Sequence, residues 1–358
     1  MKLVYLSPVK WESIAQRPHF FVKSALNVGF ESILWVEPTP SRLPKIRDIK
    51  TKLVSVEANS FDKPENVDIL SLRMLPLEPL GTINKFFNSC EILRCIKTLE
   101  RFLSEDTILV IGKPSQLAQT IIERLDFSTV IFDVMDDFPE FYSGVSSRKM
   151  EKIHHSIICR SELCLFSSHN LKTKYGSFTQ SNMLILNACD VDFVRKVENI
   201  PKAKSERRVF GYVGSIAAWF DWESLIELAL KYPEDKFVLV GPNYSDSSPN
   251  LPTNIELRCA VDHSEVPRLL RTFDYGLIPF VSNSLTHAVD PVKYYEYCAA
   301  GLEVISTSFG EMKDRVQSDE VHSFKNFPND LVCNQQPVLW SDRFNELWVR
   351  LGICKEIL

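Results

Sequence analysis

Short runs of aliphatic and β-branched residues alternate with longer stretches of helical periodicity from one end of the chain to the other. In the first half the apolar runs predict strands over 2–6, 32–36, 51–56, 67–72, 107–111, 129–134 and 163–167. Apolar positions three and four apart predict helices over 15–28, 83–103, 115–125 and 148–160. Strands that are apolar on both faces and separated by helices imply a parallel sheet covered on both sides. The pattern then restarts, with strands over 209–213, 236–240, 255–258, 275–279 and 303–307. Helices are predicted there over 222–231, 264–272, 291–300 and 341–351.

Between the two halves the stretch 197–208 (VENIPKAKSERR) is charged, contains a proline and lacks periodicity, as a linker does. The expected organisation is an α/β chain of two doubly wound, Rossmann-like parallel-sheet domains facing a cleft. The domains would be 1–190 and 208–340, joined by a linker at 191–207. The last segment, 341–358, would be a helix packing back on the first domain. Ligands of such sheets bind outside the carboxyl ends of the strands.

At 358 residues the chain is too long for one ordinary core, and 45% apolar with 24% charged residues is a globular composition that excludes disorder. A net charge of −5 excludes nucleic-acid binding through bulk positive charge, so no nucleic-acid partner is expected. Nine cysteines without a CxxC read as reduced thiols, and the first residues read as a strand rather than a signal peptide. No apolar run reaches the roughly 18–20 residues that span a bilayer. A cytoplasmic protein is expected. No His/Cys spacing matches a zinc site and no Gly-x-Ser-x-Gly motif occurs.

The first strand is followed by Ser7-Pro8-Val9-Lys10-Trp11, with no glycine before Gly29 and no Walker A motif anywhere, which argues against dehydrogenases, flavoproteins and P-loop enzymes. The second half opens with Gly211-Tyr212-Val213-Gly214-Ser215, and Gly241-Pro242 ends its next strand. Such turns let a ligand approach the backbone closely, and they also occur as plain strand–helix turns. In the stretch 285–301, Asp290 suits an N-cap, Pro291 the first helical position and Gly301 the helix end. Lys293 and Glu296 share one face. The lysine could neutralise a diphosphate, and the carboxylate could accept hydrogen bonds from ribose hydroxyls. An ordinary capped helix with a solvated ion pair has the same pattern.

With these motifs the second half resembles the GT-B glycosyltransferases, in particular bacterial enzymes of surface-polysaccharide assembly. The resemblance rests on GYVGS at 211–215, FVLVGP at 237–242, LIPF at 277–280 and DPVKYYEYCAAG at 290–301, and more loosely on Gln16-Arg17-Pro18-His19 and FDVMDDF at 132–138. It implies a nucleotide-sugar donor, a UDP-sugar by preference, held by the C-terminal domain, and a glycan or lipid-linked glycan acceptor held by the N-terminal one. Glu296 would bind the ribose, while Gly214, Ser215 and Lys293 would lie by the diphosphate near Asp290. The loops carrying Gly241, Pro242 and His263 would flank the base. No tightly bound cofactor and no divalent metal is required. The chain departs from the pattern in having Ala288 where many retaining relatives carry Glu, in lacking Arg and Lys over 215–230, and in having Glu303 where Pro often follows the helix.

Asp133, Asp136 and Asp137 end a predicted strand. Asp136 or Asp137 is placed to be the general base of an inverting transfer, or to orient sugar or acceptor in a retaining one, or to cap the next turn. His19 is a second candidate for base or sugar ligand. Arg17 and Asp133 are candidate acceptor-binding residues. The basic segment 42–52 (Arg42, Lys45, Arg47, Lys50, Lys52) could meet an anionic membrane on its cytoplasmic face, or a lipid-diphosphate acceptor. The helix over 85–103 reads as core-facing rather than as a membrane anchor. The expected activity is transfer of a hexose to a growing cell-surface polysaccharide. The alternatives are a catalytically weak relative that binds nucleotide sugar or glycan in an assembly complex, and a nucleotide-sugar epimerase.

Overall fold

The computed structural model describes residues 1–40, 62–245, 249–331 and 336–354. The predicted strand at 51–56 and the basic segment 42–52 lie outside the described residues. The described residues divide into two compact units, the first comprising 1–40, 62–186 and 341–354, the second the described residues between 187 and 340.

The first unit is a seven-stranded sheet of β1 (Lys2–Leu6), β2 (Ser32–Val36), β3 (Val67–Leu70), β4 (Thr107–Ile111), β5 (Thr129–Val134), β6 (Leu163–Phe166) and β7 (Asn182–Leu184), every pairing parallel. The spatial order is β3-β2-β1-β4-β5-β6-β7. Its helices are α1 (Arg17–Asn27), α2 (Thr82–Phe87), α3 (Ser89–Phe102), α4 (Gln116–Arg124), α5 (Val145–Arg160) and α6 (His169–Tyr175). The central strands β1 and β4 are almost wholly buried, as an unbroken aliphatic run requires when helices cover both faces.

The second unit holds α7 (Val191–Glu198), β8 (Val209–Val213), α8 (Trp222–Lys231), β9 (Lys236–Val240), β10 (Ile255–Arg258), α9 (Val266–Leu270), β11 (Tyr275–Ile278), α10 (Val292–Ala299), β12 (Glu303–Ser306), α11 (Gly310–Gln317) and β13 (His322–Ser323). Its parallel sheet runs β10-β9-β8-β11-β12-β13. Both sheets are doubly wound, and the strand order reverses between β1 and β4 in one and between β8 and β11 in the other. The beginning and end of this unit are paired. Cys189 donates its N–H to Val338 O at 2.8 Å, Trp340 donates to Cys189 O at 3.1 Å, and Cys189 and Leu339 form a parallel bridge.

The final helix, α12 (Trp340–Arg350), packs on α1. Trp348 Nε1–H donates to Ser24 Oγ at 2.7 Å, and the Phe21 ring meets Phe344 and Trp348 with centroids 5.0 and 5.3 Å apart.

The structure differs from the sequence expectation in three ways. The helix expected over 83–103 is two helices broken at Asn88, whose side chain donates to Leu75 O at 3.1 Å and accepts from Leu75 N–H at 2.7 Å. The charged stretch expected as a linker begins with a helix. Phe193, Val194 and Val197 of α7 belong to the core of the second unit, and regular structure lapses only from Asn199. Elements of two to eight residues, such as β7, β13, α6 and α11, are too short to register as a period.

Candidate functional site

In the second unit the strand order reverses at β8, and the chain leaving β8 turns at Gly214 with φ +145°. Gly214 N–H donates to Val240 O at 2.9 Å, Ile216 N–H to Pro242 O at 2.9 Å and Tyr244 N–H to Ile216 O at 2.7 Å. The Gly214-Ser215 and Gly241-Pro242 loops are thus laced together through their backbones. A Cβ at Gly241 would lie 2.1 Å from Gly214 O, so only glycine allows the loops this approach. Tyr212 closes the first turn by donating its hydroxyl to Ser215 O at 2.7 Å.

Lys293, on the first turn of α10, is brought onto this surface. A Cβ at Gly214 would lie 2.4 Å from Lys293 Cε and 2.6 Å from Nζ, so the side chain rests on the bare glycine. Its Nζ stands 5.7 Å from the Tyr212 ring centroid. No carboxylate makes an ion-pair contact with it among the described residues, and burial holds its pKa below the ordinary lysine value against the opposing charge of Glu296. Glu296 follows one turn along, with Oε1 3.8 Å from His263 Nε2, an ion-pair distance rather than a hydrogen bond. The Glu296 carboxylate raises the His263 pKa against the opposing effect of burial. Six of the eight expected donor residues (Gly214, Ser215, Gly241, Pro242, Lys293 and Glu296), joined by His263 through Glu296, therefore line one end of one sheet.

Asp290 is the exception. Helix α10 starts at Val292 with Pro291 at the cap position, so Asp290 is not its N-cap. The buried carboxylate accepts from Arg315 Nη1 at 2.9 Å, from Tyr295 Oη at 2.8 Å and from the Asn187 N–H at 2.7 Å. It anchors the root of α10. Tyr297, four residues beyond Lys293, accepts the Val213 N–H at 3.1 Å and occupies the space a Cβ at Gly276 would take. Of these supports only Tyr297 was within reach of helical spacing; Arg315 and Asn187 are remote in sequence.

In the first unit, three expected site residues prove to be internal supports. Asp133 is fully buried and Arg17 4% exposed. Arg17 Nε lies 3.0 Å from both Asp133 oxygens, Nη2 2.8 Å from Oδ1, and Nη1 donates to Ile185 O at 2.7 Å. This buried ion pair clamps α1 to the end of β5 and commits both side chains to the fold. His19 is buried too. Its Nδ1 accepts the Gln16 N–H at 3.1 Å in a reciprocal cap of α1, and its Nε2 meets Trp11 O at 3.0 Å. Burial lowers its pKa, and the imidazole is packed into the core of the unit.

Asp137 is likewise committed, accepting from Tyr175 Oη at 2.7 Å and Lys174 Nζ at 2.6 Å. Asp136 differs from its neighbours. Its half-buried carboxyl has no side-chain partner among the described residues. Burial pushes its pKa up to about 7; the Arg17 guanidinium opposes this, and the charges of Asp133 and Asp137 add to it. A free carboxylate that titrates near neutrality is suited to general-base work. Among the described residues no three His, Cys, Asp or Glu side chains converge as a metal site, and no helix is long and apolar enough to cross a membrane.

No family model matches the chain. Over 99% of its length it is similar to the E. coli trehalose-6-phosphate structure bound with UDP-2-fluoro glucose, covering 92% of that chain with a TM-score of 0.59 at 14% identity. The chain has the GT-B fold. Anabaena HepE in complex with UDP-glucose shares that GT-B arrangement with a TM-score of 0.57 at 11% identity, over 98% of this chain and 90% of that one. In sequence the chain is 27% identical over 138 residues to TuaH of Bacillus subtilis (strain 168), named as a candidate teichuronic acid biosynthesis glycosyltransferase. That match takes in 37% of this chain and only 34% of the relative's length.

Proposed function

We propose that the protein is a glycosyltransferase that moves a hexose from a UDP-sugar to a growing cell-surface polysaccharide or lipid-linked glycan. The observation that carries the reading is Lys293, which has no ion-pair contact among the described residues and lies on the bare Gly214 turn where the strand order reverses, with Glu296 one helical turn away. A diphosphate supplies the charge this lysine lacks, and vicinal ribose hydroxyls supply donors for the carboxylate. The E. coli and Anabaena structures, described with UDP-sugars, favour uridine as the base. The relationship to TuaH favours a polysaccharide acceptor.

On this reading the acceptor oxygen bonds to the anomeric carbon as the bond to the diphosphate oxygen breaks. Asp136 takes the acceptor's proton, and Lys293 stabilises the charge on the departing nucleoside diphosphate. No Arg or Lys occurs over 215–230, so Lys293 carries that task in this unit without help from the loop.

The test is a thermal-shift screen with UDP, GDP, CMP and ADP and their sugars, followed by transfer assays with the nucleotide that binds. Ligand at ~100 times its dissociation constant adds about 2.7 kcal/mol to the folded state. Stabilisation by UDP with transfer to a glycan acceptor is expected. Binding without transfer or hydrolysis would favour a binding relative, turnover of donor without acceptor an epimerase, and the lack of any shift would remove the donor assignment.

A further inference from the structure

Helix α2 (Thr82–Phe87) is inverted. Its one buried side chain is polar and its large apolar side chains face out. Asn84 is 2% exposed, donating to Gln116 Oε1 at 3.0 Å and accepting from Asn88 Nδ2 at 2.7 Å, while Gln116 in turn donates to Glu78 O at 3.0 Å. The protein beneath the helix is thus an amide network that offers phenylalanine nothing. Ile83, Phe86 and Phe87, at the spacing of one helix face, are 47%, 76% and 61% exposed, and the two phenyl rings meet edge to face at 5.5 Å. The neighbouring Leu80 is 52% exposed. The Lys149 side chain of α5 lies against Gly81 at the start of α2. Val145, one turn earlier on that face of α5, is 79% exposed. An apolar patch of this kind on a folded chain marks a contact site.

We propose that this patch seats the protein on an anionic lipid bilayer, with Phe86 and Phe87 entering the headgroup boundary. Charge complementarity selects this occupant. The segments 80–87 and 141–152 carry Lys85, Arg148, Lys149 and Lys152 against the single carboxylate of Glu151, in a chain whose net charge is −5. Exposed aromatic side chains flanked by lysine and arginine suit an interface that is apolar below and negatively charged above. The inference does not depend on the glycosyltransferase reading, and its test does not use activity.

The experiment is co-sedimentation of the full chain with phosphatidylglycerol–phosphatidylcholine vesicles. Wild-type protein is expected to pellet with them, the Phe86→Ser/Phe87→Ser variant to bind at least about tenfold more weakly, and Lys85→Ser and Lys152→Ser about fivefold each. Both phenylalanines are solvent-exposed, so an unchanged melting temperature shows that the variant is folded. Wild-type binding that is absent, equal on pure phosphatidylcholine, or unaffected by the double substitution overturns the proposal. A dimer in sedimentation equilibrium that the double variant abolishes would overturn it in favour of a second copy covering the patch.

Discussion

Lys293 rests on the Cα of Gly214, and the space its ammonium group fills is the space a side chain at that position would need. The two residues, 79 positions apart in sequence, therefore form one element of the site. Gly214→Ala combines displacement of the lysine with a left-handed φ that alanine resists, at a cost of ~1–3 kcal/mol in stability. Lys293→Ala leaves the turn intact. We expect it to weaken UDP binding by about tenfold to a hundredfold, the range of a charge-assisted hydrogen bond. Calorimetric titration of both variants checks the pair, and UDP affinity unchanged in Lys293→Ala would remove the diphosphate assignment.

On the proposed function, Asp136 is expected to give transfer an acidic limb. Its folded pKa, about 7, lies above the ordinary value of 3.8. Between those values the folded state holds a proton that the unfolded state has released, so stability falls as pH rises through that window. Activity is expected to run the other way, rising with pH to a plateau above about 7 as the carboxylate forms. Asp136→Asn should flatten both profiles and lower turnover by roughly 10²–10⁴-fold while sparing UDP binding. Rate profiles of the two proteins decide it, and a limb that persists in the variant would assign the base elsewhere.

His263 reports on Glu296. The carboxylate raises the imidazole's pKa above 6.5, so the stabilisation is complete below that value and is lost as pH rises through the folded pKa. Glu296→Gln should move the His263 titration to lower pH in an NMR experiment. The same variant should bind UDP more weakly, since an amide is a poorer acceptor for two hydroxyls. A His263 titration that does not move would break the link between them.

The Arg17–Asp133 pair separates structural from ligand-binding roles in the first unit. Arg17→Met or Asp133→Asn leaves a buried partner uncompensated and is expected to cost ~3–5 kcal/mol in urea unfolding. Arg17→Met combined with Asp133→Asn should cost less than the two single changes added together, because neither charge remains to be buried. Additive losses would contradict a paired support.

Strand positions were legible because a parallel sheet covered on both faces needs unbroken aliphatic runs, and β1, β2, β4, β5, β8, β9 and β10 begin and end where those runs do. The glycine turns and the Lys293–Glu296 face were legible for the same local reason. What sequence hides is the direction in which a polar residue points once the chain is packed. Asp133 and Asp136 are three residues apart, yet one is hydrogen-bonded to Arg17 and the other has no side-chain hydrogen bond among the described residues. His19 has the residue type of a base and the surroundings of a core aromatic, between Trp11 and Trp35. Phe86 and Phe87 satisfied the pattern of a core-facing helix, and only the amide network beneath α2 reveals that the apolar face is outermost.

The backbone pairing of Cys189 with Leu339 makes residues 187–340 a cassette. A segment whose two ends emerge side by side can be exchanged between chains through a pair of short seams, and domain insertions succeed where termini meet in this way. The Gly214–Lys293 surface would travel whole with such an exchange, while Asp136 and the α2 patch would stay behind in the recipient chain.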